Sequence, residues 1–373
     1  KTQLEDMEQD YIPYEEYARR CQAAGIIDDL SQRTLIGFLH DLGVVLNFQD
    51  DPRLEETNVL NPEWVTNGVY KILNDPALSQ SKGVLERETL NQVLNLSAYP
   101  RHKHLFIVDM MRKFELCFDF EGLRDQKFLI PDLLTKEEPE SGDWDGALAF
   151  QYHYNVLPSS VISRFIVRMH HYVHQNVYWR SGVVLEYDGN RALVKADRED
   201  KKIFIRVAGP ERGRRTFLTV IRSHFDAIHR TITGIEAEEK VPLPGHHEIV
   251  VSYKHLLNLE KLGETSFVPE GVVQKFSVRQ LLDGVDERDQ RRKYLIHLRR
   301  IFTERFNESE LQTLCFDLGV EYEGLRGERY VDRVRELLTY FGRRHRLSEL
   351  VQYGKQARPD ISWGSHPDSV SPL

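Results

Sequence analysis

Val183-Val184-Leu185-Glu186-Tyr187-Asp188-Gly189-Asn190-Arg191-Ala192-Leu193-Val194-Lys195-Ala196 is two short runs rich in β-branched residues, parted by Asp-Gly-Asn. That pattern predicts a hairpin, because Gly and Asn accept the left-handed backbone that a tight turn requires. A third run, Ile203–Val207, follows the charged turn Arg198-Glu199-Asp200-Lys201, so the segment predicts a three-strand antiparallel meander. Upstream, residues 158–175 set Val161, Ile162, Phe165, Ile166, Met169, Tyr172 and Val173 on one helical face. Downstream, residues 216–232 do the same with Phe217, Ile221, Phe225, Ile228 and Ile232, and Gly234 stops the pattern. Long amphipathic helices against an antiparallel meander make an α+β unit, predicted over residues 145–245.

Working outward, Lys136-Glu137-Glu138-Pro139-Glu140-Ser141-Gly142-Asp143 is a charged, Pro- and Gly-broken linker. Before it, residues 1–135 read mainly helical. Pro13 opens a helix running towards Gly25, and Asp28 or Asp29 caps another over residues 30–42, with Leu35, Phe38, Leu39 and Leu42 as its stripe. Val44–Phe48 reads as a short buried strand. Asn61-Pro62-Glu63 starts a helix burying Trp64, Val65, Val69, Ile72 and Leu73, and further helices are predicted over 86–94 and 101–114. Two strand-like runs, 115–120 and 128–133, flank the turn Glu121–Asp125. Helices followed by a hairpin predict a winged-helix-like unit.

Residues 246–285 are punctuated by Pro and Gly and read as a connector. Residues 286–363 carry three amphipathic stripes (Leu295/Leu298/Phe302, Leu311/Leu314/Leu318, Val331/Val334/Leu338/Phe341), with Asn307 and Glu310 as a reciprocal cap, and predict a helical bundle. Residues 364–373 read as a disordered tail. The whole is an α+β multidomain chain: helical first unit, antiparallel sheet plus helices second, C-terminal helical bundle.

The chain has 373 residues, 50 Lys+Arg, 58 Asp+Glu and a formal charge of -8. At roughly 100–200 residues per domain, this length expects more than one. The acidic balance argues against a protein that coats nucleic acid, and no run of about 18 apolar residues suggests a membrane span. The charge is uneven: residues 286–363 hold 16 Lys+Arg against 14 Asp+Glu, while residues 1–285 are acidic. Cys21, Cys117 and Cys315 are far apart among apolar neighbours, which expects buried thiols in a reducing, cytoplasmic setting rather than disulfides. Because it opens at Lys1, with Met7 its first methionine, the chain is expected to be a piece of a longer protein.

Four features were candidates for chemistry. Gly209-Pro210-Glu211-Arg212-Gly213-Arg214-Arg215-Thr216 precedes a helix, but its glycines are one residue too close for a phosphate loop and no lysine stands at its end. It reads as a basic turn. His170, His171 and His174 have a spacing that could chelate a metal on a helix, without a Glu after His170 to make a metalloprotease motif; a solvated or partner-facing cluster is favoured. His102, His104, His246 and His247 fall under the same reading. Asp41 and Asp317 each close a helix in the pattern Asp-Leu-Gly-Val, which cap geometry explains. Arg101, His102, Lys103, His104, Arg112 and Lys113 ring the helix where a winged-helix protein reads DNA, diluted by Asp109, Glu115 and Asp119. Catalytic, cofactor-binding and metal residues are therefore expected to be none. The alternatives are a winged-helix nucleic-acid binder with an oligomerisation domain, or a metal-dependent hydrolase built on the three histidines.

Leu35-Ile36-Gly37-Phe38-Leu39-His40-Asp41-Leu42-Gly43-Val44-Val45-Leu46-Asn47-Phe48 resembles the opening motif of the COR domain, the C-terminal-of-Roc module of Roco proteins. Asn61–Val65 with Tyr70–Leu73, Phe114–Phe118, Phe128–Pro131 and Tyr178-Trp179-Arg180-Ser181-Gly182-Val183 resemble its following motifs in order, over residues 1–285. Residues 287–363 resemble a bacterial effector-associated, death-like adaptor, through Phe306–Gly319, Arg346–Val351 and Arg358–Trp363. The resemblance implies a cytoplasmic regulatory and dimerisation module of a bacterial Roco-type GTPase. Its first subdomain would pack on the Roc GTPase domain in cis, its second would form a homodimer, and a homotypic helical adaptor partner is possible. GTP or GDP and Mg would belong to the parent's Roc domain; none of that domain's motifs lies in this chain.

Overall fold

The structure, a computed structural model, describes residues 4, 6–284, 287–327, 329–344 and 346–363; the predicted tail at 364–373 lies outside the described residues. The first unit contains helices α1 (Tyr14–Ala23), α2 (Asp29–Asp41), α3 (Pro62–Leu73), α4 (Pro76–Gln80), α5 (Leu90–Val93) and α6 (Arg101–Lys113). Polar caps start α2 and α3 as the sequence predicts: Asp28 accepts from the Ser31 N–H and Asn61 from that of Glu63, satisfying first-turn donors. Strands β1 (Tyr11–Pro13) and β2 (Thr57–Val59) form a small ladder. Strands β3 (Val84–Glu86), β4 (Phe118–Asp119) and β5 (Lys127–Leu129) form a three-stranded sheet in the order β3-β5-β4.

Three local expectations change here. Val44–Phe48 forms no strand, only a single bridge from Leu46 to Val59, although Val45 is fully buried. The helix predicted over 86–94 is a strand end, a 3₁₀ turn (Arg87–Thr89) and one helical turn. The α2 stripe is also different: Ile36 and Leu39 are buried, while Phe38 and Leu42 remain 59% and 53% exposed. Leu30, Thr34, Phe38 and Leu42 stand four apart, so the apolar residues of α2 divide between two faces.

The second unit is built on seven antiparallel strands: β6 (Leu148–Tyr154), β7 (Val173–Trp179), β8 (Gly182–Tyr187), β9 (Asn190–Asp197), β10 (Lys202–Ala208), β11 (Ala237–Leu243) and β12 (His246–Ser252). Their order is β12-β11-β6-β10-β9-β8-β7. The predicted meander is β8–β9–β10, in the interior of the sheet, so its strands offer no free edge. The edges are β7 and β12. Helices α7 (Ser159–Met169) and α8 (Glu211–His229) cover one face, where Phe165 and Phe225 stack with centroids 4.2 Å apart and planes 4° apart. Residues 170–175 are not helical. A 3₁₀ turn (His170–Tyr172) leads into β7.

The connector expected at 246–285 is instead part of this unit. Strand β12 pairs with β11, and α9 (Tyr253–Lys261) and α10 (Val278–Asp283) bury Tyr253, Leu256, Leu281 and Leu282 in the same core as α7 and α8. The sheet and its helices therefore run to Gly284, not 245. Short strands β13 (Ser266–Phe267) and β14 (Phe276–Ser277) close the loop between α9 and α10.

The last unit has a core of its own, formed by α11 (Glu287–Arg305), α12 (Glu308–Asp317), α13 (Tyr330–Arg343) and α14 (Leu347–Ala357) around Phe302, Leu314, Phe341 and Leu350. Asn307 and Glu310 form the full reciprocal capping box. Trp363 closes over Phe302 and Phe306.

Phe165 is fully buried. Phe165→Ala is expected to destabilise the chain by about 3–5 kcal/mol, through lost burial and a residual cavity. Urea denaturation measures this, with the exposed His171→Ala as a near-neutral control.

Candidate functional site

The sequence candidates for chemistry separate rather than converge. Helix α7 ends at Met169, so His170 lies in the 3₁₀ turn and His174 on β7, and helical i,i+4 spacing does not relate them. His170 stacks on Phe118 with centroids 4.5 Å apart and hydrogen-bonds through Nδ1 to the Val167 carbonyl, while His174 Nδ1 lies 2.5 Å from Glu186. Among the described residues, no three His, Cys, Asp or Glu are placed to hold a metal ion. The three cysteines are buried and free, and burial pushes the Cys117 thiol up to about 12 and the Cys315 thiol up to about 11. Both therefore stay protonated and poorly nucleophilic near neutral pH.

The basic turn before α8 is also occupied. Arg214 donates to the carbonyls of Gly209, Gly146 and Gly284 at 3.0, 3.0 and 2.6 Å, and Arg215 pairs with both Glu260 oxygens and with Asp283. Much the same holds for the basic ring on α6. His104 is buried and bonds the Tyr99 carbonyl; Lys103 donates to Thr57 Oγ1 with its ammonium 4.6 Å from the Tyr11 ring centroid. Arg112 is held by Asp109, Asp119 and Asp125 at 2.5–2.7 Å, and Lys113 pairs with Asp50. Charges already neutralised within the fold contribute little to phosphate binding.

What these residues do build is the junction between the first two units. Glu115, just past the end of α6, accepts from Arg164 at 2.7 Å and Arg168 at 2.6 Å, both on α7. Asp132 accepts from Ser163 on the same helix at 2.5 Å. Arg180 donates from Nε to the Leu134 carbonyl and from its backbone N–H to that of Thr135, tying the end of the first unit to the β7–β8 turn. Trp179 is fully buried beneath that turn. A Cβ on Gly182 would come within 2.3 Å of its ring, so the Trp-Arg-Ser-Gly spacing is a close-packed corner that only glycine fits. Nothing in the periodicity of the sequence singled out Glu115 or Asp132 as bridging groups; the Trp-Arg-x-Gly stretch was the one local signal.

Residues 1–134 match the C-terminal of Roc, COR-A domain, and residues 145–284 the C-terminal of Roc, COR-B domain. The chain belongs to the COR family. After COR-B, residues 298–359 match effector-associated domain 7. Relatives include the probable serine/threonine-protein kinase pats1 of Dictyostelium discoideum, 26% identical over 53% of this chain and 7% of its own length. The Roc-COR-CHAT protease of Runella zeae is 24% identical over 50% of this chain and 19% of its own length. The chain thus spans less than a fifth of either. The GDP-bound RocCORdC structure of Methanosarcina barkeri Roco2 is 41% identical over 36% of this chain and 42% of that chain, with a TM-score of 0.34. Among the described residues no helix is long and apolar enough to cross a membrane.

Four partly buried histidines, His170 and His224 beside the COR-A/COR-B junction and His229 and His153 within COR-B, are expected to make stability depend on pH. Burial lowers the proton affinity of His170, His224, His229 and His153 below the usual 6.5. For groups depressed in the folded state, the unfolded chain binds more protons below its own pKa. Stability is therefore expected to be complete above about pH 7 and to decline as pH falls below 6.5, before carboxylate titration begins. Urea midpoints measured from pH 7.5 to pH 5 check this.

Proposed function

We propose that this chain is the regulatory and dimerisation module of a Roco-type GTPase, without catalysis of its own, coupling the nucleotide state of an adjacent Roc domain to assembly. GTP or GDP and Mg would be held by the parent's Roc domain. The observation that carries the reading is the outward face of α2. Leu30, Phe38 and Leu42 are 77%, 59% and 53% exposed, with Ile27 beside them at 77%. An exposed apolar row along α2 and its two ends, interrupted only by Thr34, on a helix whose other face is already buried fits a protein partner. COR-A is where the family resemblance puts the Roc contact. Force on that face would travel through α6 and the Glu115 clamp to α7 and the COR-B sheet.

The homodimer contact is assigned to COR-B, but not to its central meander, whose strands are all paired. Strand β7 carries Gln175 and Asn176 in the left-handed region and an irregular pairing with β8, a device that blunts an edge. Strand β12 is the other edge, paired with β11 from Lys240↔Ser252 to Pro242↔Val250. The effector-associated domain would recruit a homotypic adaptor through the groove between α11 and α13, where Arg292, Arg299 and Arg335 rim Leu295, Ile296 and Leu338. Three like charges on one groove disfavour groove-to-groove pairing, so a second copy would meet it with a different, acidic face.

Sedimentation velocity of the chain, alone and with the parent's Roc domain added, tests this. The chain should be a dimer that binds Roc; Phe38→Glu should remain a folded dimer and lose Roc; a chain ending at Gly284 should retain both properties. A monomer from the last arm would make the terminal bundle the oligomeriser, and unchanged Roc binding by Phe38→Glu would remove α2 from the interface.

A further inference from the structure

The COR-B sheet contains a gap. Strands β6 and β11 pair in register from Tyr154↔Ala237 to Gln151↔Lys240 and then part. Pro242 lacks the N–H that would continue the ladder, and the pairing of β11 with β12 shifts register between Pro242 and Leu243. On its other side β6 stays paired with β10 down to Leu148↔Val207. The edge of β6 over Leu148–Phe150 is thus left without a strand partner, and a cavity of about 450 Å³ occupies the gap. That is within the roughly 300–1,000 Å³ of pockets that hold small molecules.

Its lining is rich in donors. Arg206 lies opposite Ala149 in the β10–β6 register, so a methyl group stands beside the guanidinium where a larger side chain would fill the space. Among the described residues Arg206 has no ion-pair partner. Trp144 lines the same cavity, and its indole N–H is buried without an acceptor. His247 and the Gln280 amide add further polar groups, while Val241, Pro242 and Leu281 supply apolar wall. The single carboxylate of the lining, Asp145, is exposed.

We propose that this gap between β6 and β11 is a binding site for a small anion with an apolar body, an aryl or short-chain alkyl carboxylate or phosphate. Arg206 takes the anionic oxygens, and the apolar part lies against Trp144, Pro242 and Leu281. The site sits where both inter-domain segments meet COR-B. Trp144 and Gly146 arrive from the COR-A linker, and Gly284 leads to the effector-associated domain. Gly284 adopts φ +69°, and a Cβ there would be 2.8 Å from Leu148 Cβ. Arg214 fastens the carbonyls of Gly146 and Gly284 together. A ligand in this gap therefore touches the attachment points of both neighbours. This assignment does not depend on Roc docking or dimerisation.

Calorimetric titration of the full chain with benzoate, phenyl phosphate, inorganic phosphate and the neutral isostere benzamide tests it, with Trp144 fluorescence as a second readout. Benzoate or phenyl phosphate is expected to bind, whichever does so tighter defining the anion class, with inorganic phosphate weaker and benzamide inert. Arg206→Gln should weaken binding about tenfold or more, as loss of a charged hydrogen bond does, and Arg206→Lys should fall between. Trp144→Phe should abolish the fluorescence change. Absence of binding by both aryl anions at millimolar concentration, equal binding of benzamide, or undiminished affinity in a folded Arg206→Gln chain would overturn the proposal.

Discussion

Glu115 is held between Arg164 and Arg168 in a backbone conformation that favours glycine. Its φ is +58°, immediately after the last residues of α6, where a left-handed residue ends many helices. A side chain there costs roughly 1–2 kcal/mol relative to the right-handed region. The carboxylate offsets that by reaching two guanidinium groups one turn apart on α7, in a site where all three side chains are at most a quarter exposed. Partial burial screens this pair of contacts less than an exposed surface ion pair, while raising the cost of leaving any one charge unpaired. Removal of the carboxylate would leave two half-buried cations facing each other.

The rest of the junction depends on where this clamp sets α6. Arg112, one turn earlier, gathers Asp109, Asp119 and Asp125, which fixes the β4–β5 turn against the same helix end. Phe118 then meets His170, and Arg180 secures Leu134 and Thr135 where the first unit ends. COR-A and COR-B are thus joined by these charge-assisted contacts and by apolar packing, since Phe118, Leu129 and Leu134 enter the core of the COR-B sheet and helices.

Much of the local structure was legible because its signals are short-range. Caps at Asp28, Asn61 and Asn307, the Asp-Gly-Asn turn, and the stripe through Phe165 and Phe225 each involve residues within a few positions of one another. Strand β6 leaves a sequence signal too, since Leu148, Phe150, Tyr152 and Tyr154 alternate with the smaller or polar Ala149, Gln151 and His153. Residues 246–284 misled because Pro and Gly punctuation looks the same in a connector and in tight turns between short elements. The α2 stripe failed for a different reason: apolar residues on two faces of one helix give a single smeared periodicity, and only packing shows which face is buried. The junction was not legible at all. Glu115 and Arg164 are forty-nine residues apart, and nothing in the spacing of charges reveals a pair that forms only when two units dock.

The direct test of the clamp is a double-mutant cycle of Glu115→Gln and Arg164→Gln, measured by urea denaturation of the full chain at neutral pH. The account predicts strong non-additivity, with a coupling energy above about 1 kcal/mol, as for residues in one charged network. Additivity of the two substitutions to within about 0.3–0.5 kcal/mol, the behaviour of independent sites, would show that Glu115 does not join the two units.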